Sequence, residues 1–288
     1  MIKCLLFSYA KIEKGEAFMK KIVRFAKGFY NIYIKSNLTG ASAALSYYLT
    51  MTFFPLIICL YTMLGNSYDK AIRVLHFLES FFSAETVAVA EDFLGYVARN
   101  HSSAMMVAGL TLLITSSSAA FRALQITIGE MQGKQRFEGF AFFLGSIVFS
   151  LVFVAAMYFG IVVMFTGREF IMLINRFLPF IDIGASWNTL RFILFGGIEF
   201  LMILVLYSVC MPSQAKYSVW EGALLSTAAT VGVSVVFSVF IGASTRYPLV
   251  YGSIASIILL MFWLYMTCMV IYCGAAVNIT LRDIKNPS

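Results

Sequence analysis

The feature that most constrains this chain is an uncharged stretch at residues 37–64, which reads NLTGASAALSYYLTMTFFPLIICLYTML. A helix of about 20 apolar residues can cross the roughly 30 Å hydrocarbon core of a bilayer, so this stretch is long enough to span a membrane. Its hydroxyl residues Ser42, Ser46 and Thr50 recur at helical spacing and share one face. Because lipid offers hydroxyl groups no hydrogen-bond partner, we expect that face to point into protein or a wet cavity.

Composition extends this conclusion to the whole chain. Of the 288 residues, 60% are hydrophobic and 12% are charged, which is about half the charged fraction of a soluble domain. The predicted fold class is all-α, a polytopic membrane protein with six transmembrane helices and short interfacial amphipathic helices. The spans are placed at residues 38–64, 104–128, 140–165, 190–211, 219–242 and 249–281. Together they form a single membrane domain over residues 37–281.

The segments outside the spans are short. Residues 1–36 form a basic amphipathic segment, typical of a helix at the surface of an anionic membrane, and Met19 is an alternative start to Met1. The outer segment 65–103 contains two amphipathic pieces, and residues 167–188 contain a third. Residues 282–288 form the tail.

The basic residues predict the orientation of the chain. Thirteen of the 21 Lys and Arg residues fall on the side of the two termini and seven on the opposite side, while Arg122 lies within a span. Cytoplasmic segments of membrane proteins carry the excess of Lys and Arg, so both termini are predicted to be cytoplasmic.

A polar stripe runs along the second predicted span. Its members step by three or four residues and are Thr111, Thr115, Ser118, Arg122 and Gln125. A transport path or a groove for lipid headgroups needs such a stripe. A structural seam between helices produces the same pattern, because hydroxyl groups in seams are common and contribute only about 0.6 kcal/mol each. Both interpretations stay open at this point.

Glu199 lies near the middle of the fourth predicted span, where an ionised carboxylate costs about 2.5 kcal/mol or more. Arg122 is the obvious partner, but the two residues lie at different depths, so a direct ion pair would need a shifted helix. Contact with an ion, a proton or a headgroup is one reading, and a structural hydrogen bond is the other. The adjacent Gly196 and Gly197 leave room for another backbone.

Small residues form a ridge along the fifth predicted span. They recur every four positions and are Gly222, Ser226, Thr230, Ser234, Ser238 and Gly242. This spacing is typical of close helix crossing. Ser218 and Glu221 just before the ridge have the spacing of a capping box. In the first span, Gly40 and Ala44 are expected to permit a similar close approach.

Several function classes find no support in the residues. The five cysteines and two histidines form no ligand pattern, and the chain contains no phosphate-binding loop. No catalytic, cofactor-binding or metal-binding residue is predicted, and the protein is not expected to be an enzyme.

Three motifs together resemble the YihY/BrkB family of bacterial inner-membrane proteins, once mislabelled ribonuclease BN. They are GASAALSYYLTMTFFPL at residues 40–56, WEGALLSTAATVGVSVVFSVF at 220–240 and YGSIASIILLMFWLYMTCMVIYCGAAVN at 251–278. The resemblance runs from about residue 25 to 282. It implies a location in the bacterial cytoplasmic (inner) membrane and a transport role that includes lipid export. The family commonly has an acidic residue where this chain has Ala276.

The leading hypothesis is an inner-membrane transporter, of lipid or another amphiphile, that is not driven by ATP on its own. It rests on Pro55, the polar stripe, Arg122 and Glu199. The substrate-path candidates are Glu199, Arg122, Gln125, Thr111, Thr115, Ser118, Ser42, Ser46 and Thr50. The alternative is a non-transporting scaffold or envelope-assembly partner. Membrane lipids are the expected partners, no nucleic acid is expected, and a homo-oligomer, the substrate and any coupling ion stay open.

Overall fold

The computed structural model describes residues 2–78, 84–133, 139–140, 142–156, 187–211, 219–242 and 254–285, and these residues form helices and short turns without strands. The helices are α1 (Ile2–Lys35), α2 (Leu38–Met63), α3 (Tyr68–Leu78), α4 (Ala84–Asn100), α5 (Ser103–Met131), α6 (Phe142–Ala156), α7 (Trp187–Cys210), α8 (Trp220–Gly242) and α9 (Ile254–Lys285). The predicted all-α class is confirmed. The amphipathic piece predicted at residues 167–188 lies outside the described residues except for its last two, which begin α7.

Four of these helices are long and apolar enough to cross a membrane, namely α2, α5, α8 and α9. The apolar helices α6 and α7 are also present, with shorter apolar stretches at Phe142–Ala156 and Gly196–Cys210. Large apolar side chains are exposed along them, including Leu112, Val148, Leu201 and Val236. A protein in water does not expose this much apolar surface, so the chain is a helical membrane protein.

The centre of the bundle lies where α2 packs against α5 and α9. Its buried apolar residues come from α2, α5, α7, α8 and α9, and the largest fully buried side chains include Tyr207 and Tyr272. The phenyl rings of Phe121 on α5 and Phe149 on α6 stack with centroids 3.9 Å apart, which joins α6 to this centre.

Helices α3 and α4 form a hairpin over the end of α2. The sequence pattern predicted two amphipathic helices in this region, and both are observed. Leu75 of α3 and Leu94 of α4 bury their side chains together with Ile57 and Tyr61 of α2. The hairpin has its own small apolar cluster, separate from the central core.

Helices α8 and α9 cross closely at glycines and small residues, as the small-residue ridge predicted. A Cβ placed at Gly274 would overlap the hydroxyl of Ser226 and lie 2.6 Å from Tyr207 Oη and 2.7 Å from the Gly222 carbonyl oxygen. Tyr207 reaches this crossing from α7, donates to the Ile271 carbonyl at 2.5 Å and lies 2.7 Å from Ser226 Oγ. Glycine at both crossing positions therefore lets three helices meet.

Asn278 of α9 caps the start of α8. Its Oδ1 accepts from the Gly222 amide at 2.7 Å, and its Nδ2 donates to the Val219 carbonyl at 3.0 Å. The first amides of a helix have no partner within the helix, so this side chain supplies one. The sequence also predicted a capping box of Ser218 and Glu221 at the start of this helix, but Ser218 lies outside the described residues. Glu221 pairs with Lys285, with Nζ and Oε1 3.3 Å apart.

Helix α1 packs along α9 and turns sharply into α2. A Cβ at Gly28 would lie 3.0 Å from Thr280 Cγ2, so α1 and α9 are in close contact. At the corner, Asn37 adopts a left-handed conformation and its side chain accepts from the Gly40 amide. The expected role of Gly40 in helix approach was wrong, because the space beside it holds the Asn37 side chain. Ala44 is exposed.

We predict that Gly274→Ala lowers the free energy of unfolding by about 1–3 kcal/mol, because the added methyl group meets atoms from two other helices. Thermal unfolding of the purified protein in detergent measures this change. Gly232→Ala is the matched control, since a Cβ at Gly232 has no atom within 4 Å. Equal destabilisation by the two variants would contradict the close crossing.

We also expect Asn278→Ala to lower stability by about 1–3 kcal/mol, because the buried Gly222 amide at the start of α8 loses its partner. The exposed Asn100, whose amide donates to a carbonyl of its own helix, provides the control Asn100→Ala. If the thermal midpoint of Asn278→Ala equalled that of the wild type, the capping role would be refuted.

Candidate functional site: polar groups within the bundle

Arg122 is held by hydroxyl groups between α5 and α6. Its Nη1 donates to Ser118 Oγ at 2.6 Å and to Ser146 Oγ at 3.2 Å, and the two hydroxyl oxygens lie 2.7 Å apart. Its guanidinium carbon lies 5.3 Å from the centre of the Phe143 ring, a distance at which a ring face attracts a cation. Ser118 and Ser146 are buried and Arg122 is half-buried.

Neutral groups alone contact this guanidinium within the described residues. The ion pairs found there join His76 to Glu91, Arg282 to Asp283 and Lys285 to Glu221, and none includes Arg122. Nη1 is the donor in every hydrogen bond that Arg122 makes to the described residues. Nε and Nη2 therefore keep donors that an anionic group could use.

The remaining residues of the α5 stripe divide into two groups. Thr111 and Thr115 are exposed and donate to carbonyls of their own helix at 2.8 and 2.9 Å. Gln125 is buried, and its Oε1 has no hydrogen-bond partner in the described structure. The stripe is thus exposed at Thr111 and Thr115 and buried at Ser118 and Gln125, with the half-buried Arg122 between the two buried residues.

The three hydroxyl residues of α2 face protein. Ser42, Ser46 and Thr50 are buried, and each donates to a carbonyl of α2 itself, at 2.7, 2.9 and 2.8 Å. Ser42 also lies 3.6 Å from the sulfur of Met269 on α9. The expectation that this face avoids lipid is confirmed, and the face packs in the seam between α2 and α9.

Glu199 points from α7 toward α8. Its carboxyl lies beside the hydroxyl of Thr230, although no hydrogen bond of ordinary geometry joins them, and Thr230 Oγ1 is buried without a partner. Within the described residues, a Cβ at Gly196 or Gly197 would have no atom within 4 Å.

Arg122 and Glu199 belong to two separate places in the bundle. Arg122 contacts α6, whereas Glu199 contacts α8. A pocket of about 90 Å³ lies elsewhere, at the end of α2 beside the α3–α4 hairpin, and is lined by Tyr61, His101 and Met105. Within the described residues, no three His, Cys, Asp or Glu side chains are placed to hold a metal ion.

Three residues in the interior of the bundle were not identified as candidates from the sequence. Ser146 and Phe143 complete the Arg122 cluster, and their spacing of three on one helix face was the available signal. Thr267 of α9 has a buried Oγ1 without a partner. It was not recognised because isolated threonines are common in transmembrane helices and usually bond to their own backbone.

Comparison with known proteins agrees with the helical membrane architecture. The family model described as "Virulence factor BrkB" matches residues 29–287. The ribonuclease-like protein YfkH of Bacillus subtilis (strain 168) is 25% identical over 269 residues, which cover 91% of this chain and 96% of YfkH. No solved structure shows a significant match. Because the family model covers nearly the whole chain, the protein belongs to the BrkB virulence factor family.

Proposed function

We propose that this protein is a bacterial inner-membrane transporter that moves a lipid or another amphiphile with an anionic headgroup. The observation that carries the proposal is the guanidinium of Arg122, which lies within a membrane helix and, among the described residues, contacts hydroxyl groups and an aromatic ring. A charge inside a bilayer is costly and usually serves a function.

The chemistry of the cluster suits a phosphate or carboxylate headgroup. A guanidinium presents several N–H donors in one plane and binds such anions through two of them at once. Ser118 and Ser146 hold Nη1 in place, which leaves the other donors for a ligand. The exposed Thr111 and Thr115 continue the polar stripe from this cluster along α5, so the polar surface extends beyond the cluster on the same helix.

Apolar surface beside the cluster suits the acyl chains of an amphiphile. Phe143, Leu144, Val148 and Leu151 of α6 are exposed, and Phe143 also contacts Arg122. A lipid whose headgroup reaches Arg122 could keep its chains in the bilayer along α6. This arrangement favours an amphiphile over a small hydrophilic solute, which would need an enclosed aqueous path.

We predict that Arg122→Gln slows transbilayer movement of headgroup-labelled anionic lipid at least about tenfold, equivalent to about 1.4 kcal/mol in the barrier, because the headgroup loses its charged partner. Movement is measured in proteoliposomes against empty liposomes. Arg122→Lys should retain part of the rate, since it keeps the charge but loses the planar donors.

Arg282→Gln is the control, because Arg282 pairs with Asp283 near the end of α9 and lies away from the cluster. An equal loss in both variants would argue against a specific role for Arg122. If the folded wild-type protein moved neither lipid nor small solutes, the scaffold or envelope-assembly role would become the better explanation.

The proposed topology has six spans with both termini in the cytoplasm. It is supported by the excess of Lys and Arg on that side and by the contact between α1 and the end of α9, which places these two segments together. We predict that a green fluorescent protein fused to the C-terminus fluoresces, whereas alkaline phosphatase fused there is inactive. The same reporters fused after residue 100 should give the opposite pattern, and identical results at both positions would refute this topology.

A further inference from the structure

Helix α1 buries only part of its apolar surface in the bundle. Phe29, Ile32 and Tyr33 pack against the central core, and Gly28 faces Thr280 of α9. A second set of apolar residues on the same helix is 46–66% exposed and consists of Met19, Ile22, Val23, Tyr30 and Ile34. Contiguous exposed apolar surface marks a site of contact with another protein or with a membrane. The exposed apolar row of α1 therefore indicates a further contact besides α9.

A row of basic residues lies beside the exposed apolar row. Lys20, Arg24 and Lys27 follow one another at steps of four and three, which places them on one face of the helix, and Lys35 continues this face two turns later. These side chains and Lys21 are all exposed. No acidic residue occurs between residues 19 and 35, so this part of α1 carries five positive charges and no negative one.

The sign of this charge decides which partner fits the exposed face. A second copy of the chain would bring the same five positive charges to the contact, and like charges across an interface disfavour association. An anionic bilayer supplies the opposite charge, and each Lys or Arg near such a surface strengthens attachment. The boundary between its headgroups and acyl chains also accommodates the apolar face of an amphipathic helix.

The connection of α1 to α2 places the exposed face next to a membrane surface. Helix α1 ends at Lys35, and the turn at Asn37 leads directly into α2, which is long and apolar enough to span a bilayer. Tyr33 and Thr39 join the two helices across this turn, with their hydroxyl oxygens 3.0 Å apart. The end of α1 is therefore fixed at the start of a membrane-spanning helix.

We propose that residues 19–35 of α1 form a docking surface for an anionic membrane leaflet. The exposed apolar row enters the boundary between headgroups and acyl chains, and the basic row contacts the phosphate groups of anionic lipids. The opposite face of the helix stays packed against α9, so the leaflet and the last helix hold α1 from two sides. This docking does not depend on the transport role proposed for Arg122, because it is measured without movement of any lipid.

The test is amide hydrogen exchange of the full-length protein in lipid nanodiscs that hold one copy each. Discs of phosphatidylcholine are compared with discs of equal parts phosphatidylcholine and phosphatidylglycerol. We expect the amides of residues 19–35 to exchange at least about tenfold more slowly in the anionic discs, because the docked helix must leave the surface before it opens. The difference should disappear at about 1 M salt, which screens surface charges.

Arg24→Gln combined with Lys27→Gln should remove most of the difference between the two lipids, because the basic row loses its central charges. Val23→Ser combined with Tyr30→Ser should speed exchange in the anionic discs, because the apolar row then gains little from entering the leaflet. The matched control is Lys70→Gln with Arg73→Gln. It removes two exposed charges from α3, at the other end of α2, and should leave the exchange of residues 19–35 unchanged.

Equal exchange of residues 19–35 in neutral and anionic discs would overturn the docking surface. A lipid effect that survives intact in the variant with Arg24→Gln and Lys27→Gln would also overturn it, because the basic row would then not read the lipid charge. Slower exchange in discs that hold two copies, whatever the lipid, would assign the exposed face to a second copy of the chain instead.

Discussion

The close crossing of α8 and α9 is the contact on which the arrangement of the bundle depends. Gly222 and Gly274 let the two backbones approach until a single methyl group would not fit between them. The crossing then sets the register between α8 and α9, so that positions at a given distance from it on one helix face defined positions on the other. Toward one end it places Asn278 at the start of α8, and toward the other it aligns Ser234 with Trp263. Tyr207 joins α7 to the same point.

Hydroxyl groups in the bundle divide into those that bond only to their own backbone and those that also reach another helix. Inside an apolar bundle a serine or threonine can satisfy itself by donating to its own backbone, and Ser46 and Thr50 of α2 do so. Such residues add polarity to the sequence without adding a site. Among the described residues, Tyr207 and Ser226 reach across helices at a packed crossing, whereas Ser118 and Ser146 do so at Arg122. The transport proposal rests on the second of these contacts.

Sequence periodicity identified faces of helices but not the neighbours that cover them. The spacing of Ser42, Ser46 and Thr50 was enough to predict a buried face, because burial follows from the shared direction of the side chains. The α5 stripe looked uniform, yet its burial changes along the helix, since this depends on where other helices begin and end. The neighbour of Glu199 depends on how α7 crosses α8, which no spacing within one helix encodes.

The cap of α8 shows the same limit at a single position. The predicted capping box includes Ser218, which lies outside the described residues, and the Gly222 amide bonds to Asn278, 56 positions away in the sequence. In the sequence Asn278 was only a polar residue near the end of an apolar run. Its role required knowing that the last helix passes the start of α8. By contrast, the composition alone was sufficient for the helical membrane class.

The contact of α9 with both α1 and α2 has a consequence for how the protein is made. Ser42 meets Met269, a residue 227 positions later in the chain, and α1 lies against the same final helix. Because ribosomes build chains from the N-terminus, the first helix to enter the bilayer does so long before its permanent neighbour exists. Its hydroxyl groups already donate to carbonyls of its own backbone, so the helix can remain in the bilayer before α9 is present. The bundle therefore closes only after α9 has been made, and a chain released before that point would lack the helix that contacts both α1 and α2.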